Sequence, residues 1–380
     1  MLVRRKVTRR LSRLLRRPKA GRVRRMTIAV SWLCDCRCEM CGIWKIYRED
    51  PELRKTELTS DETVGLLTNS SSLRALEVIN FTGGEPFIHG EFVPLALALE
   101  KHYPLVQMDV TTTGQATTLI REKLEAIADG GGDLSRYHVC VSLDGVEGKH
   151  DEIRGKRGAF DKAIETVRMA GSFDLGNLAL GFTILPANYE SLSGAYQLSR
   201  ELGVAFTMRV AHFNTGMYDN ADMTAATYGW TPAAIREVKA TVRSIQHDMR
   251  RDRGLLRSLF ASELYFADRM LEYLEEPRRM MPCHSGTHSA LLDPHGNVYP
   301  CVNLDTNMGN AREKGFDGVW FSDEARRVRE DIAAERCHCW TECESYLSMH
   351  TSPRYLISNA ARGKRGKVGE PARPECLNTT

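Results

Sequence analysis

The feature that most limits what this chain can become is an alternation along its first half. Six apolar, strand-like runs at 26–33, 76–82, 106–112, 137–143, 178–185 and 204–210 are separated by amphipathic stretches near 60–69, 91–102, 117–129, 159–170 and 189–202. The last stretch places Leu192, Ala195, Tyr196, Ser199 and Leu202 on one helical face and stops at Gly203. Parallel strands need a crossover between them, and a helix of this length supplies one. The pattern predicts an α/β fold, a partial (β/α)6 TIM-type barrel. Such a barrel gathers its chemistry at the C-terminal ends of its strands.

The loop after the first strand lies on that face. It carries Cys34, Cys38 and Cys41 at C-x3-C-x2-C spacing. Three thiolates on one short loop can hold three corners of a 4Fe–4S cube and leave the fourth iron open to a ligand. A closed tetrahedral zinc site needs a fourth donor, and no histidine lies in the loop. Cys36 breaks the ligand spacing and reads as a bystander.

Composition excludes several classes. The chain has 380 residues, 42% hydrophobic and 27% charged, as a soluble globular enzyme has. No run approaches the ~18 apolar residues of a membrane span. The N-terminus is basic without the apolar segment of a secretory signal. Nine of the eleven cysteines fall in two groups, 34–41 and 283–343, a clustering at metal-ligand spacing that favours metal binding over disulfides and a reducing, cytoplasmic compartment. The net charge of +3 conceals an asymmetry: residues 1–25 hold twelve Lys or Arg and no acid, leaving −9 on the remainder. Val7, Leu11, Leu14 and Leu15 recur there at helical spacing among Arg9, Arg10, Arg13, Arg16 and Arg17. This basic arm is either a solvated tail or a contact for a membrane surface or an acidic partner. No recognition motif for nucleic acid accompanies it.

Residues 214–282 change character. A helix opens at Thr231 and Pro232 with Ile235, Val238, Val242, Ile245 and Met249 in register, and a second runs near 261–275. Leu291 to Tyr299 reads as a hairpin turning at Pro294 to Asn297, flanked by Cys283 and Cys301. The expected organisation is a basic arm (1–25), a barrel (26–213), a helical connection (214–282), a small C-terminal hairpin-plus-helix domain (283–361) and a Gly-, Pro- and Lys/Arg-rich, disordered tail (362–380).

The loop Cys34-Asp-Cys-Arg-Cys-Glu-Met-Cys41 resembles the signature of the radical S-adenosylmethionine (SAM) superfamily. Further motifs follow in order. Strand two ends in Thr82-Gly83-Gly84-Glu85-Pro86, similar to the motif whose backbone meets the SAM amino group. Strand three ends in Thr112-Thr113-Gly114, where the family often has Thr-Asn-Gly. Strand four ends in Val141-Ser142-Leu143-Asp144-Gly145, and alternation turns Ser142, Cys140 and His138 inward. Ser142 is similar to a ribose- or carboxylate-contacting position, with Asp144 beside it. Arg154 resembles the arginine that pairs with the SAM carboxylate, a planar anion suited to a guanidinium. The end of strand five, with Ile184 and then Asn188, corresponds to an adenine-lining region. Met40 stands where the family usually has an aromatic residue against the adenine, which implies altered packing and retained binding.

The C-terminal cysteines resemble the SPASM or twitch extension of the same superfamily. Cys283, then Gly296-x4-Cys301, then Cys337, Cys339 and Cys343 suit one auxiliary 4Fe–4S cluster with one cysteine to spare. Cys283, Cys301, Cys339 and Cys343 are the favoured ligands, with Cys337 the rival and Cys376 in the tail a further contender. A structural zinc site is the alternative.

The resemblance implies reductive cleavage of SAM to a 5′-deoxyadenosyl radical, hydrogen-atom abstraction from a substrate, and a reducing partner such as flavodoxin or ferredoxin. It implies peptide or natural-product modification. Alternatives are a membrane lipid or lipid-linked substrate, an aminosugar dehydrogenase or epimerase, and a non-catalytic iron–sulfur scaffold. Cys140 is either a small core residue or a hydrogen donor to a substrate radical. Arg209 and His212, at the end of strand six, are candidates for substrate contact. Only 25 residues precede the first strand, too few for a leader-binding domain ahead of the barrel.

Overall fold

The computed structural model describes residues 21–212, 216–220, 229–258, 262–335, 337–351 and 355. The basic arm through residue 20, the tail 362–380 and Cys376 lie outside the described residues.

The barrel strands are β1 (Arg25–Ser31), β2 (Val78–Gly83), β3 (Gln107–Thr112), β4 (Tyr137–Ser142), β5 (Asn177–Ile184) and β6 (Ala205–Val210). Each pairs in parallel with its neighbour in sequence. The helices among and after them are α1 (Ile43–Glu49), α2 (Ser60–Thr68), α3 (Phe92–His102), α4 (Thr117–Asp129), α5 (Gly148–Arg154), α6 (Ala159–Ala170), α7 (Leu192–Glu201), α8 (Pro232–Ser258) and α9 (Ser262–Glu275). The expected strands and crossover helices are all present. The alternation is visible in burial: along β4, Tyr137, Val139 and Val141 are buried, while His138, Cys140 and Ser142 are half-buried and face a central cavity.

The C-terminal part comprises β7 (Ser289–Leu292), β8 (Asn297–Tyr299), β9 (Gly309–Asn310), α10 (Ala311–Trp320), α11 (Asp323–Ala333) and α12 (Glu342–Thr351). The hairpin turns where Pro294 to Asn297 predicted it. It does not stand apart, however. β7 pairs in parallel with β1, from Arg25 opposite Ser289 to Ile28 opposite Leu292. The result is one sheet of nine strands in the order β6-β5-β4-β3-β2-β1-β7-β8-β9. With a strand on either side and packing on both faces, β1 is buried along nearly its whole length.

Two hydrophobic clusters hold the layers together. One joins β1–β3 to α3, α4 and the C-terminal helices, with Phe81, Phe87, Phe92, Leu124 and Trp320 fully buried. Phe92 meets Phe81 and Phe87 edge-on, at centroid distances of 5.4 and 5.0 Å. The other joins β4–β6 to α6–α9 and includes Trp340. Truncating one such phenylalanine to alanine costs about 3–5 kcal/mol.

Candidate active site

A cavity of about 1120 Å³ runs through the barrel, lined from the N-terminal starts of the strands (Arg25, Gln107, Asn177) to their C-terminal ends. Cys34, Cys38 and Cys41 line it from the loop after β1, and Cys343 lines it from the start of α12. The loop is held from several sides. Its entry is fixed by Ser31, whose Oγ accepts from Leu33 N–H (3.0 Å) and donates to Glu57 (2.5 Å). Glu57 also accepts from Tyr47 of α1 at 2.5 Å. Its exit is fixed by segment 216–220: Gly42 N–H donates to the Tyr218 carbonyl (2.7 Å), and Asn220 Nδ2 donates to the Met40 carbonyl (2.8 Å).

Gly83 and Gly84 are required by close backbone approach. Gly83 has φ +114°, and a Cβ there would lie 2.4 Å from the Ser31 carbonyl oxygen. A Cβ on Gly84 would lie 2.1 Å from the Leu33 oxygen and 3.0 Å from Cys34 Cβ. The two glycines let β2 abut the cysteine loop, and both also line the cavity.

The expected SAM-facing residues divide in two. Met40, Gly83, Gly84, Thr113, Ser142 and Arg154 line the cavity. Glu85, Asp144, Ile184 and Asn188 stand behind it. Glu85 is 1% exposed; its carboxylate accepts from Phe87 N–H (3.1 Å), Thr112 Oγ1 (2.8 Å) and Thr113 N–H (2.6 Å). Burial, then the charge of Asp35, raises this carboxyl to about 7 against those hydrogen bonds. Asn188 binds the carbonyls of Asp144 and Thr183 (both 2.9 Å) and accepts from Leu185 N–H (2.7 Å). Ile184 points to the helix side of β5, because alternation turns Thr183 to the cavity instead. As a side-chain contact, Thr183 takes the place expected for Ile184. Met40 packs against Ile153 and Leu185.

Arg154 sits at the end of α5 with its guanidinium engaged. Nη2 lies 2.5 Å from Asp144 Oδ2, and Nη1 donates to Cys38 Sγ at 3.5 Å. Cys36 is buried beside Cys38. Its hydrogen bond, opposed by burial and aided by Arg154, pushes the Cys38 thiol below its ordinary value.

Deeper in the cavity, Cys140 is raised to about 11 by burial, with Arg209 opposing. Arg209 pairs with Glu342 of α12 at 3.3 Å and keeps a buried Nε without a partner. His212 Nε2 lies 3.1 Å from the Trp340 carbonyl oxygen and 3.4 Å from the Trp340 nitrogen, and burial lowers it to about 4.

The C-terminal cysteines are not equivalent. Cys283 Sγ contacts Ser285 Oγ at 3.1 Å, and buried Glu344 accepts from Ser289 Oγ at 2.6 Å. Cys301 and Cys339 are raised by burial and by each of their neighbours Cys283 and Glu344. Cys337 accepts from Arg279 Nη2 at 3.4 Å. Cys343 faces the central cavity, between the charges of Arg25 and Arg209. Among the described residues, no three His, Cys, Asp or Glu side chains are already drawn into a closed metal-binding group.

The residues nonetheless fit the implied groups. Three thiols of one loop share a cavity wall, the Gly83–Gly84 backbone leaves space beside them, and Arg154 Nε is buried without an acceptor. Sequence reasoning missed Thr183, the Ser31–Glu57–Tyr47 brace and segment 216–220. Only Thr183 had a readable signal, the period of two along β5.

Comparison with known proteins agrees. Residues 30–198 match the model of the radical SAM superfamily, and residues 283–344 match that of the SPASM iron–sulfur cluster-binding domain. The chain is 30% identical over 170 residues to Fe-coproporphyrin III synthase of Methanosarcina barkeri, covering 44% of this chain and 39% of that protein. It is 22% identical over 351 residues to the antilisterial bacteriocin subtilosin biosynthesis protein AlbA of Bacillus subtilis, covering 88% of this chain and 69% of that protein. The fold resembles SuiB of Streptococcus suis bound to its precursor peptide SuiA, with a TM-score of 0.57 and 16% identity, over 86% of this chain and 70% of that one. With its barrel, its cysteine loop and its C-terminal extension so matched, the chain is an enzyme of the radical SAM superfamily with a SPASM domain, whose cofactors are SAM, a 4Fe–4S cluster and auxiliary iron–sulfur clusters.

Proposed function

We propose that this enzyme abstracts a hydrogen atom from a peptide substrate held in the central cavity. The observation that carries the reading is the cavity itself: it runs from the cysteine loop along the barrel interior and is walled by the C-terminal part through Asn303, Glu342 and Cys343. A space bounded by both cysteine-bearing regions suits a substrate that lies between them. The likeness to AlbA over most of the chain and to the fold of SuiB supports a peptide.

When bound, the cluster and SAM supply a one-electron cleavage that yields a carbon radical able to attack an unactivated C–H bond. This chain's residues do the rest. Cys34, Cys38 and Cys41 hold the cluster. The Gly83–Gly84 backbone, Thr113 and Ser142 face SAM, with Met40 beside its adenine, and Glu85, Asp144 and Asn188 keep those walls in place. Arg209 offers a buried N–H donor to substrate, and His212, kept neutral by burial, sits beside it on the same rim. Cys140, which lines the cavity, is the candidate hydrogen donor to a substrate radical. Cys283, Cys301, Cys339 and either Cys343 or Cys337 hold an auxiliary cluster. A flavodoxin or ferredoxin supplies the electron. An iron porphyrin is the second reading, supported by the 30% identity of the barrel region to Fe-coproporphyrin III synthase.

The test incubates anaerobically reconstituted enzyme with SAM, dithionite and deuterated candidate substrates. The peptide reading expects deuterium in 5′-deoxyadenosine with a labelled peptide. Label arriving only from a porphyrin, a lipid or an aminosugar replaces the peptide with that class. No release of the nucleoside under any condition returns the chain to a scaffold.

A further inference from the structure

We propose that Arg154, held by Asp144, is a positioning residue for the cysteine-loop cluster: it fixes Cys38 and raises the potential at which a cluster bound there accepts an electron. The expected role for this arginine was a grip on the SAM carboxylate. Its surroundings point elsewhere.

Arg154 reaches the loop twice. Through the backbone, Arg37 N–H donates to the Arg154 carbonyl (3.0 Å) and Glu39 N–H to the Ile153 carbonyl (2.9 Å). The loop thus satisfies carbonyls that the end of α5 would otherwise leave open. The next residue permits this approach only as glycine: Gly155 has φ +57°, and a Cβ there would lie 2.4 Å from the Arg37 oxygen. Through the side chain, Nη1 donates to Cys38 Sγ at 3.5 Å.

Asp144 makes the arrangement rigid. It is 0% exposed, and its Oδ1 accepts from Thr183 N–H at 2.7 Å. Its own N–H donates to His150 Nδ1 (3.0 Å), and its carbonyl accepts from Asn188 (2.9 Å). The carboxylate therefore cannot follow Arg154 if the guanidinium swings toward a ligand. A buried carboxylate left without its cationic partner is strongly disfavoured, so the pair resists being pulled apart. A guanidinium held beside a ligating sulfur stabilises the more electron-rich state of the cluster, since net charge and hydrogen bonds to sulfur set the potential. Asp144 opposes that effect from behind, so the two residues act with opposite sign.

The inference rests on Cys34, Cys38 and Cys41 holding the cluster, which the iron content of the triple alanine variant tests separately. The experiment is a redox titration of the full chain, followed by electron paramagnetic resonance without SAM. Arg154→Gln is expected to lower the midpoint, so that at the wild-type midpoint the reduced-to-oxidised ratio falls about tenfold, about 59 mV for a one-electron couple. Asp144→Asn is expected to raise it, and Arg154→Lys to fall between wild type and Arg154→Gln. The auxiliary cluster's midpoint stays put and serves as the internal control. Unchanged midpoints in Arg154→Gln and Asp144→Asn, with weaker SAM binding, overturn the proposal and return Arg154 to the SAM carboxylate. If Arg154→Gln takes up no iron, Asp144→Asn decides: a raised midpoint supports the proposal and an unchanged one overturns it.

Discussion

Glu85 shows how a motif residue works here without facing the ligand space. Its carboxylate closes three hydrogen bonds at the ends of β2 and β3, two of them to backbone N–H groups. Glu85→Ala strands those donors inside the protein. The expected loss is about 2–4 kcal/mol of stability, since each buried unsatisfied group costs about 1–3, and Glu85→Gln should recover part of it. Urea unfolding of the reconstituted protein measures both. At this scale much was legible. Cys34, Cys38, Cys41, Gly83 and Gly84 were identified as site residues from spacing and motif, and the structure places all five on the cavity wall. The glycines' reason was only half legible: they accommodate protein backbone as well as ligand space. Asp144 and Asn188 were read as ligand contacts, yet they act on Arg154 and Thr183, because what a buried polar group touches depends on strands far away in sequence.

Elements were legible where their period is local. The six barrel strands and their crossover helices fell within a few residues of expectation. The short α5 was missed. It opens at Glu147 with φ 50° and no capping side chain, so the usual start signal is absent. The docking of α10 was also missed, although it ties the C-terminal part to the barrel. Asp317 accepts from the N–H and Oγ of both Ser71 and Ser72, at 2.5–3.1 Å. Arg312 grips Glu62 at 3.1 Å, within the capping box of α2. Asp317→Ala frees two N–H groups and should destabilise by about 1–3 kcal/mol. The same variant at low pH should differ less from wild type. Burial opposes, but the serine hydrogen bonds hold the Asp317 carboxyl below its ordinary value. Its contribution is therefore present above about pH 4 and lost as pH falls through the lower folded value.

Across the whole molecule, the cavity links barrel and C-terminal part through Arg209–Glu342 and His212–Trp340. Burial lowers His212 to about 4, while an unfolded histidine titrates near about 6.5. The unfolded chain binds the extra proton between those values, so this contribution is complete above about pH 6.5 and is lost as pH falls toward 4. His212→Gln can still bond to Trp340 and carries no such proton. Its stability relative to wild type should rise as pH drops through that window, and urea midpoints at several pH values check it. What no local pattern foretold is the parallel pairing of β7 with β1. Some 260 residues separate the two strands, and pairing of that kind leaves no mark on the period of either.

That pairing has a consequence for the natural history of such chains. A graft of a different C-terminal part must deliver a strand that matches Arg25 to Ile28 rung for rung. A slip of one rung would turn inward the side chains meant to face out. Variation in the extension is thus tied to the first strand of the barrel, and chimaeras that ignore this phase should misassemble even when both parents are sound.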